Sequence, residues 1–242
     1  MNLILFRQTE LGRPLPKTDP RAVHLVKVLR KKPGDSFDAG VLDLGLGRGI
    51  VERADPDGSL HLGIEILQPV PERLPLHVAV GFPRPIQLRR LLRDLSSLGV
   101  RAVDLVGSDL GEKSYRDTNL LSDGGAEAAL IEGAAQSRDA SLPALEVFAG
   151  LDRWLAARLP AGDSLLIAAD NVSPEAGLAE LPGGKSRALL AVGPERGWSQ
   201  RERSLFAASG FRRLSAGSRA LRTETACIAC AILTLEKIGA LR

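Results

Sequence analysis

Two short stretches of this chain hold more charged, hydroxyl and glycine residues than a buried element would tolerate. Gly193 to Gly197 reads GPERG, and Leu214 to Ala226 reads LSAGSRALRTETA. The first follows Arg187 to Val192, RALLAV, an apolar run that predicts a buried strand feeding a sharp loop. Glycine admits positive φ and lets a ligand approach the main chain, whereas proline fixes φ and removes a donor. The loop therefore offers bare backbone groups beside one carboxylate, Glu195. In the second stretch Thr223, Glu224 and Thr225 open an apolar run that predicts a helix through Leu235. The free N–H groups and dipole of such a start favour an anionic or polar ligand. Arg219 and Arg222 beside it suit a phosphate backbone. Taken alone, GPERG is equally an ordinary strand-to-helix turn in which Trp198, Ser199 and Glu202 cap a helix, with Arg201 and Arg203 on its solvated face.

These segments need a scaffold, and the pattern of apolar runs supplies one. From Leu76 onward strands alternate with helices: strands at Leu76 to Gly81, Ala102 to Val106, Ala144 to Phe148, Ser164 to Ala168, Arg187 to Val192 and Phe211 to Leu214. The intervening helices are Pro85 to Leu98, Gly125 to Ala135, Leu151 to Arg158 and Gln200 to Ala208. Such alternation predicts an α/β domain with a mainly parallel sheet, whose ligands sit beyond the carboxyl ends of the strands. Both polar segments fall there. The first seventy residues differ: short apolar runs separated by turn signals predict a small β-barrel, with a helix over His24 to Lys32 and a hairpin turn at the GLGRG of Gly45 to Gly49. The Pro-rich QPVPERLP of Gln68 to Pro75 is the expected boundary, giving domains over residues 1–70 and 75–242.

Composition narrows the class. The 242 residues are 44% hydrophobic and 25% charged with a net charge of +3, which fits a soluble globular protein and leans weakly toward nucleic acid. No uninterrupted apolar stretch is long enough for a membrane span and the start has no signal-peptide pattern, so a cytoplasmic location is expected. Cys227 and Cys230, the only cysteines, lie inside an apolar helical run and are expected to be packed thiols; no metal is expected. His24, His61 and His77 are scattered, with no nucleophile signature around them. Lys27, Arg30, Lys31 and Lys32 form a basic cluster close behind His24.

GPERGWSQRE followed by LSAGSRALRTETA resembles the signatures of the RsmE family of 16S ribosomal RNA (uracil-N3)-methyltransferases, of the SPOUT class. HLVKVLRKKPGD at His24 to Asp35 is similar to that family's N-terminal element, and Glu112, Lys113, Ser114, Glu132, Gln136 and Pro143 match its central motifs. The chain departs from the family at Arg196, where a glycine is usual, at Asp139, with Arg138 one place early, and at Ser96 and Ser97. The resemblance implies a SPOUT methyltransferase domain with a C-terminal trefoil knot, preceded by a PUA-like β-barrel. It implies S-adenosylmethionine (SAM) as cofactor, held by Gly193, Pro194, Glu195, Gly197, Ala216, Gly217, Leu221, Thr223 and Ala226. Arg219 or Arg222 is expected to stabilise the developing uridylate oxygens, with Arg138 as helper and Glu195 facing the sulfonium or holding its loop. Glu224 is expected to cap the last helix. His24, Lys27, Arg30, Lys31 and Lys32 are expected to contact RNA. The implied partners are 16S ribosomal RNA in the small ribosomal subunit and a second copy of the chain, with no membrane. Two other readings stay open: a SPOUT enzyme for another RNA nucleoside, and a non-catalytic ribosome-assembly factor.

Overall fold

The computed structural model describes residues 3–160 and 162–241. The chain forms two compact units: one runs to Glu72 and includes Ile131–Leu142, and the other comprises Arg73–Leu130 and the chain from Pro143 onward. The divide at Glu72 falls within QPVPERLP. The sequence predicts two consecutive segments, whereas Ile131–Leu142 returns to the first unit.

In the first unit β1 (Ile4–Phe6), α1 (Pro20–Val23), β2 (Ser36–Val41), β3 (Gly45–Ala54) and β4 (Leu60–Pro69) build a four-stranded sheet in the order β1-β2-β3-β4. The β1–β2 pair is parallel and the others antiparallel. Phe6, Leu25, Phe37, Val51 and Leu60 pack its core. Pro20 at the first helical position and Asp19, whose carboxylate accepts from the Arg21 N–H at 2.8 Å, start α1.

The predicted helix over His24 to Lys32 begins earlier, at Pro20, and passes into a single wide turn at His24–Val28. It ends because Arg30 adopts φ 54° and the Lys31 N–H returns to the Leu25 carbonyl. GLGRG is no hairpin turn but the first half of β3, paired on both sides. Its glycines answer to close approach: a Cβ on Gly47 would lie 1.8 Å from the Glu65 carbonyl oxygen, and one on Gly49 2.2 Å from the Phe37 ring. The register shift at Leu46/Gly47 brings the strands this close.

The second unit carries β5 (Leu74–Gly81), α2 (Pro85–Leu98), β6 (Val100–Val106), α3 (Asn119–Ser122), α4 (Gly125–Ser137, its end belonging to the first unit), β7 (Ala144–Phe148), α5 (Leu151–Arg158), β8 (Leu165–Ala169), β9 (Ala176–Gly177), β10 (Ala188–Val192), α6 (Gln200–Ala208), β11 (Arg212–Ser215) and α7 (Thr223–Lys237). All seven strands are parallel, in the order β7-β6-β5-β10-β8-β11-β9. The α/β architecture matches the sequence reading, and β9 and α3 are additions. Two strands made late, β10 and β11, sit between earlier ones.

Local chemistry sets the helices. In α2 Leu88, Leu91, Leu92 and Leu95 recur at helical spacing and are fully buried, and Gly99 at φ 82° closes the helix. Trp154, Trp198, Phe206 and Phe211 pack one face of the sheet, with Trp198 edge-on to Phe206 at 4.9 Å. Asp104 on β6 is buried beneath that face. Its carboxylate accepts from Trp154 Nε1 at 2.8 Å and Arg158 Nε at 3.0 Å, and His77 Nε2 lies 2.7 Å away.

Candidate active site

Four loops leaving the carboxyl ends of β5, β8, β10 and β11, with the start of α7, enclose a cavity of about 470 Å³. Its position is the one that parallel α/β sheets reserve for ligands, where neighbouring strands send their chains to opposite sides. Gly193, Pro194, Glu195, Gly197, Ala216, Gly217, Leu221, Thr223 and Ala226 all line it, together with Arg219 and Arg222.

The β10 loop owes its course to its glycines. Gly197 takes φ 68°, and a Cβ on Gly193 would come within 3.1 Å of Gly197 Cα. Arg196 makes no such demand, because Arg30, Asp43 and Arg138 are the only described non-glycine residues with positive φ. Its departure from the family glycine is therefore accommodated. Pro194 is buried against β5, where a Cβ on Gly81 would lie 2.4 Å from its Cδ. Glu195 ties the loop to β5's own exit, accepting the Arg84 N–H at 3.1 Å. The capped-turn reading of GPERG holds as well: Ser199 and Glu202 form a reciprocal capping box, and Glu202 also accepts the Asp109 N–H at 2.9 Å. The same loop lines the cavity and leads into the capped start of α6.

At α7 the expectation for Glu224 is corrected. No side chain caps this helix; Arg222 occupies the cap position and Glu224 lies in the first turn, where it complements the dipole without bonding the cap. The start of α7 thus meets the cavity through Thr223 and Glu224 with its backbone donors uncapped. Arg219 and Arg222 are exposed and have no ion-pair partner among the described residues. Cys227 and Cys230 are buried, and burial pushes the Cys230 thiol up to about 11. Among the described residues no three His, Cys, Asp or Glu side chains gather as metal ligands.

The other named residues stand in the first unit. Arg138 takes φ 58° and pairs with Asp38 at 3.0 Å; it does not line the cavity. His24 and Lys31 are half-buried, whereas Lys27, Arg30 and Lys32 are exposed, and no side chain of the five has an ion-pair partner among the described residues.

The sequence reading missed Arg84, Gln87, Asp170, Asn171 and Cys230, all on the cavity wall. Arg84 and Asp170 lie three and two residues beyond the ends of predicted strands, so the strand-end rule was the signal available. Among the described residues Gln87 Oε1 is buried without a hydrogen-bond partner, the kind of acceptor that a ligand N–H satisfies. The sequence predicts a solvated face for Arg203, yet its side chain is 10% exposed and its Nε donates to Asp170 Oδ2 at 2.6 Å. Burial raises the Asp170 pKa, but Arg203 and the Val172 N–H outweigh it and hold the carboxyl below its ordinary range.

A parallel α/β sheet with a glycine-lined cavity at its strand ends accompanies a sequence match: residues 70–235 match the RNA methyltransferase domain. Over 96% of its length the chain is 37% identical to Ribosomal RNA small subunit methyltransferase E of Treponema pallidum, covering 90% of that protein. It is 31% identical to Ribosomal RNA small subunit methyltransferase E 1 of Borreliella burgdorferi, covering 98% of this chain and 99% of that one. The chain belongs to the ribosomal RNA small subunit methyltransferase E family. Among solved structures, a Neisseria gonorrhoeae Ribosomal RNA small subunit methyltransferase E bound to S-adenosyl methionine shares the fold with a TM-score of 0.77 at 19% identity, covering 98% of this chain and 97% of that one. A Legionella pneumophila protein in complex with the cofactor SAM shares it at 0.78 and 22% identity, covering 98% of both chains.

Proposed function

We propose that the chain methylates the N3 of a uridine in 16S ribosomal RNA, using SAM held in the cavity at the carboxyl ends of β5, β8, β10 and β11. The observation that carries this reading is that one cavity collects both polar segments of the sequence. The residues present fit the cofactor. Glycine-bordered main chain, an uncapped helix start and the Gln87 acceptor, orphaned among the described residues, suit its polar groups, and the exposed Glu195 carboxylate suits its positive charge. When bound, SAM supplies a methyl carbon on a sulfonium, which departs as a neutral thioether.

The chain's residues have the rest to do. Uracil N3 loses its proton to solvent as the N3–C bond forms, so negative charge develops on O2 and O4. Arg219 and Arg222, exposed and without ion-pair partners among the described residues, stabilise that charge; an arginine stays protonated and acts through its charge, not as a base. Glu195 holds the loop of β10 to that of β5. The N3 edge is paired in a duplex, so the target is single-stranded or flipped out. The cluster of His24, Lys27, Arg30, Lys31 and Lys32 serves as an RNA platform, supported by its lack of ion pairs among the described residues and by the left-handed backbone at Arg30. Arg138, which pairs with Asp38, stays in this reading as a helper to that charge stabilisation. The late insertion of β10 and β11 supports the trefoil knot, and pairing of two copies and a cytoplasmic location complete the reading.

Nucleoside analysis of 16S RNA after reaction with SAM is the test. The expected product is 3-methyluridine, lost in Arg222→Ala with SAM affinity retained. A different methylated nucleoside would overturn the substrate assignment, and an Arg222→Ala enzyme of unchanged rate would overturn the role of that residue.

A further inference from the structure

Beside the first cavity, a second hollow of about 630 Å³ opens between the loop after β8, the turn at Leu178–Glu180 and the Ser215-to-Ala220 loop. Asn171, Ala216, Gly217 and Arg219 border both hollows. Of these four, Asn171 and Arg219 alone carry polar side chains.

Hydrogen bonds hold the backbone on both sides of Asn171. On one side Trp198 Nε1 donates to the Ala169 carbonyl at 3.1 Å. Asp170 accepts the Val172 N–H at 2.9 Å and the Ser173 N–H at 3.4 Å, closing a turn around Asn171. Arg203 then locks Asp170 from α6 with two contacts, Nε to Oδ2 at 2.6 Å and Nη2 to Oδ1 at 3.3 Å, in a pair whose side chains are only 10% and 2% exposed. The Asn171 side chain itself is exposed and makes no hydrogen bond or ion pair among the described residues. A buried pair and an indole thus fix a residue whose own amide is unused, the arrangement expected of a contact residue held ready by its support.

We propose that Asn171 contacts the target base: it donates its Nδ2–H to a carbonyl oxygen of a pyrimidine seated in the second hollow, opposite the charge of Arg219. This rests on the uridine N3 reading above. In uracil the reacting N3 is flanked by O2 and O4, and both gain negative charge when N3 gives up its proton. A neutral amide donor on one oxygen and a guanidinium near the other lower the barrier to that loss and orient N3 toward the first cavity. Arg203 and Asp170 are positioning residues that act through Asn171.

The variants are Asn171→Ala, Asn171→Asp and Arg203→Ala, each also checked by thermal melting. SAM affinity is measured by calorimetry, and single-turnover methylation of 16S RNA is followed across pH. The expected result is unchanged SAM affinity with a rate loss of about a hundredfold for Asn171→Ala, as for removal of one donor to a developing oxyanion. Asn171→Asp loses more, because a carboxylate repels the forming uridylate. In Asn171→Ala the rise of rate with pH moves to higher pH, a shift that a merely structural residue would not produce. Arg203→Ala slows the wild type but adds little to Asn171→Ala, the non-additivity of residues acting as one unit. Loss of SAM affinity in proportion to rate overturns the proposal by making Asn171 a cofactor residue. Unchanged rate and pH profile overturn it outright. A wild-type product other than 3-methyluridine overturns the underlying reading instead, and is seen without any variant.

Discussion

Substituting Gly81→Ala tests the cavity from outside, because Gly81 does not line it. Its Cβ would lie 2.4 Å from Pro194 Cδ and 2.7 Å from Pro194 N, and both are fixed by the proline ring and main chain. Ordinary contact therefore requires the β10 loop to retreat by about 1 Å or β5 to deform, and such overpacking costs about 1–3 kcal/mol. Gly81 has no positive φ, so the whole penalty is steric. If the loop yields, Pro194 and Glu195 leave their places and SAM affinity falls by roughly fivefold to 150-fold, at a factor of ten per 1.4 kcal/mol. If the strand yields instead, the melting temperature falls by about 2–4 °C for each kcal/mol in a chain of this size. Calorimetry with SAM and thermal melting without it read the two shares. Gly99→Ala is the control: its Cβ meets nothing nearer than 3.7 Å, so only the strain at φ 82° remains, lowering stability while sparing affinity. A Gly81→Ala protein with unchanged affinity and unchanged melting would refute the packing of Pro194 on β5.

Two further outcomes follow from the charges. Asp104→Asn should lower stability at neutral pH by about 3 kcal/mol in urea denaturation, because Arg158 and its neighbours lose a buried carboxylate. Burial alone would raise the Asp104 pKa, but the hydrogen bonds from His77 and Arg158 hold it below the 3.8 of the free group; the stabilisation is therefore present above that value and is lost as pH falls through the folded pKa, and the gap to the variant should close in acid. In the first unit, Lys27→Ala and Lys32→Ala should each reduce the slope of log RNA affinity against log salt by about one, as for a lost phosphate contact. An unchanged slope in both would remove this cluster from the RNA surface.

The sequence was readable where one local rule decides the outcome. Pro85 and Gly99 bracket α2 at both ends, and its leucines leave no alternative face to bury. The parallel sheet followed from the alternation of strands and helices, and the cavity from polar residues at strand ends. Reading failed where a distant neighbour decides. GLGRG looks like a turn because glycines make turns, yet these glycines exist because Glu65 and Phe37 lie against them in β3's partner strands. The insertion of β10 between β5 and β8 leaves no mark on the residues of β10 itself.

Arg203 shows why the site was only half legible. In sequence it sits among Arg201, Glu202 and Ser204, and a charged run at the start of a helix reads as a solvated face. Arg201 fits that reading, exposed and bridging Asp109 and Asp152. Arg203 lies two residues further round the helix, about 200° away at 3.6 residues per turn, and so points at the sheet. There it meets Asp170, which is 33 residues earlier in the chain but one strand away in space. A buried guanidinium with a carboxylate partner costs desolvation that a surface pair does not, and such a pair stabilises little by itself. Its presence beneath an exposed and unbonded Asn171 is better explained by what it holds in place than by what it adds to stability. The residues lining the cavity were visible as motifs because glycines and fixed charges mark them in the sequence, whereas the contact of Arg203 with Asp170 became visible only in the fold.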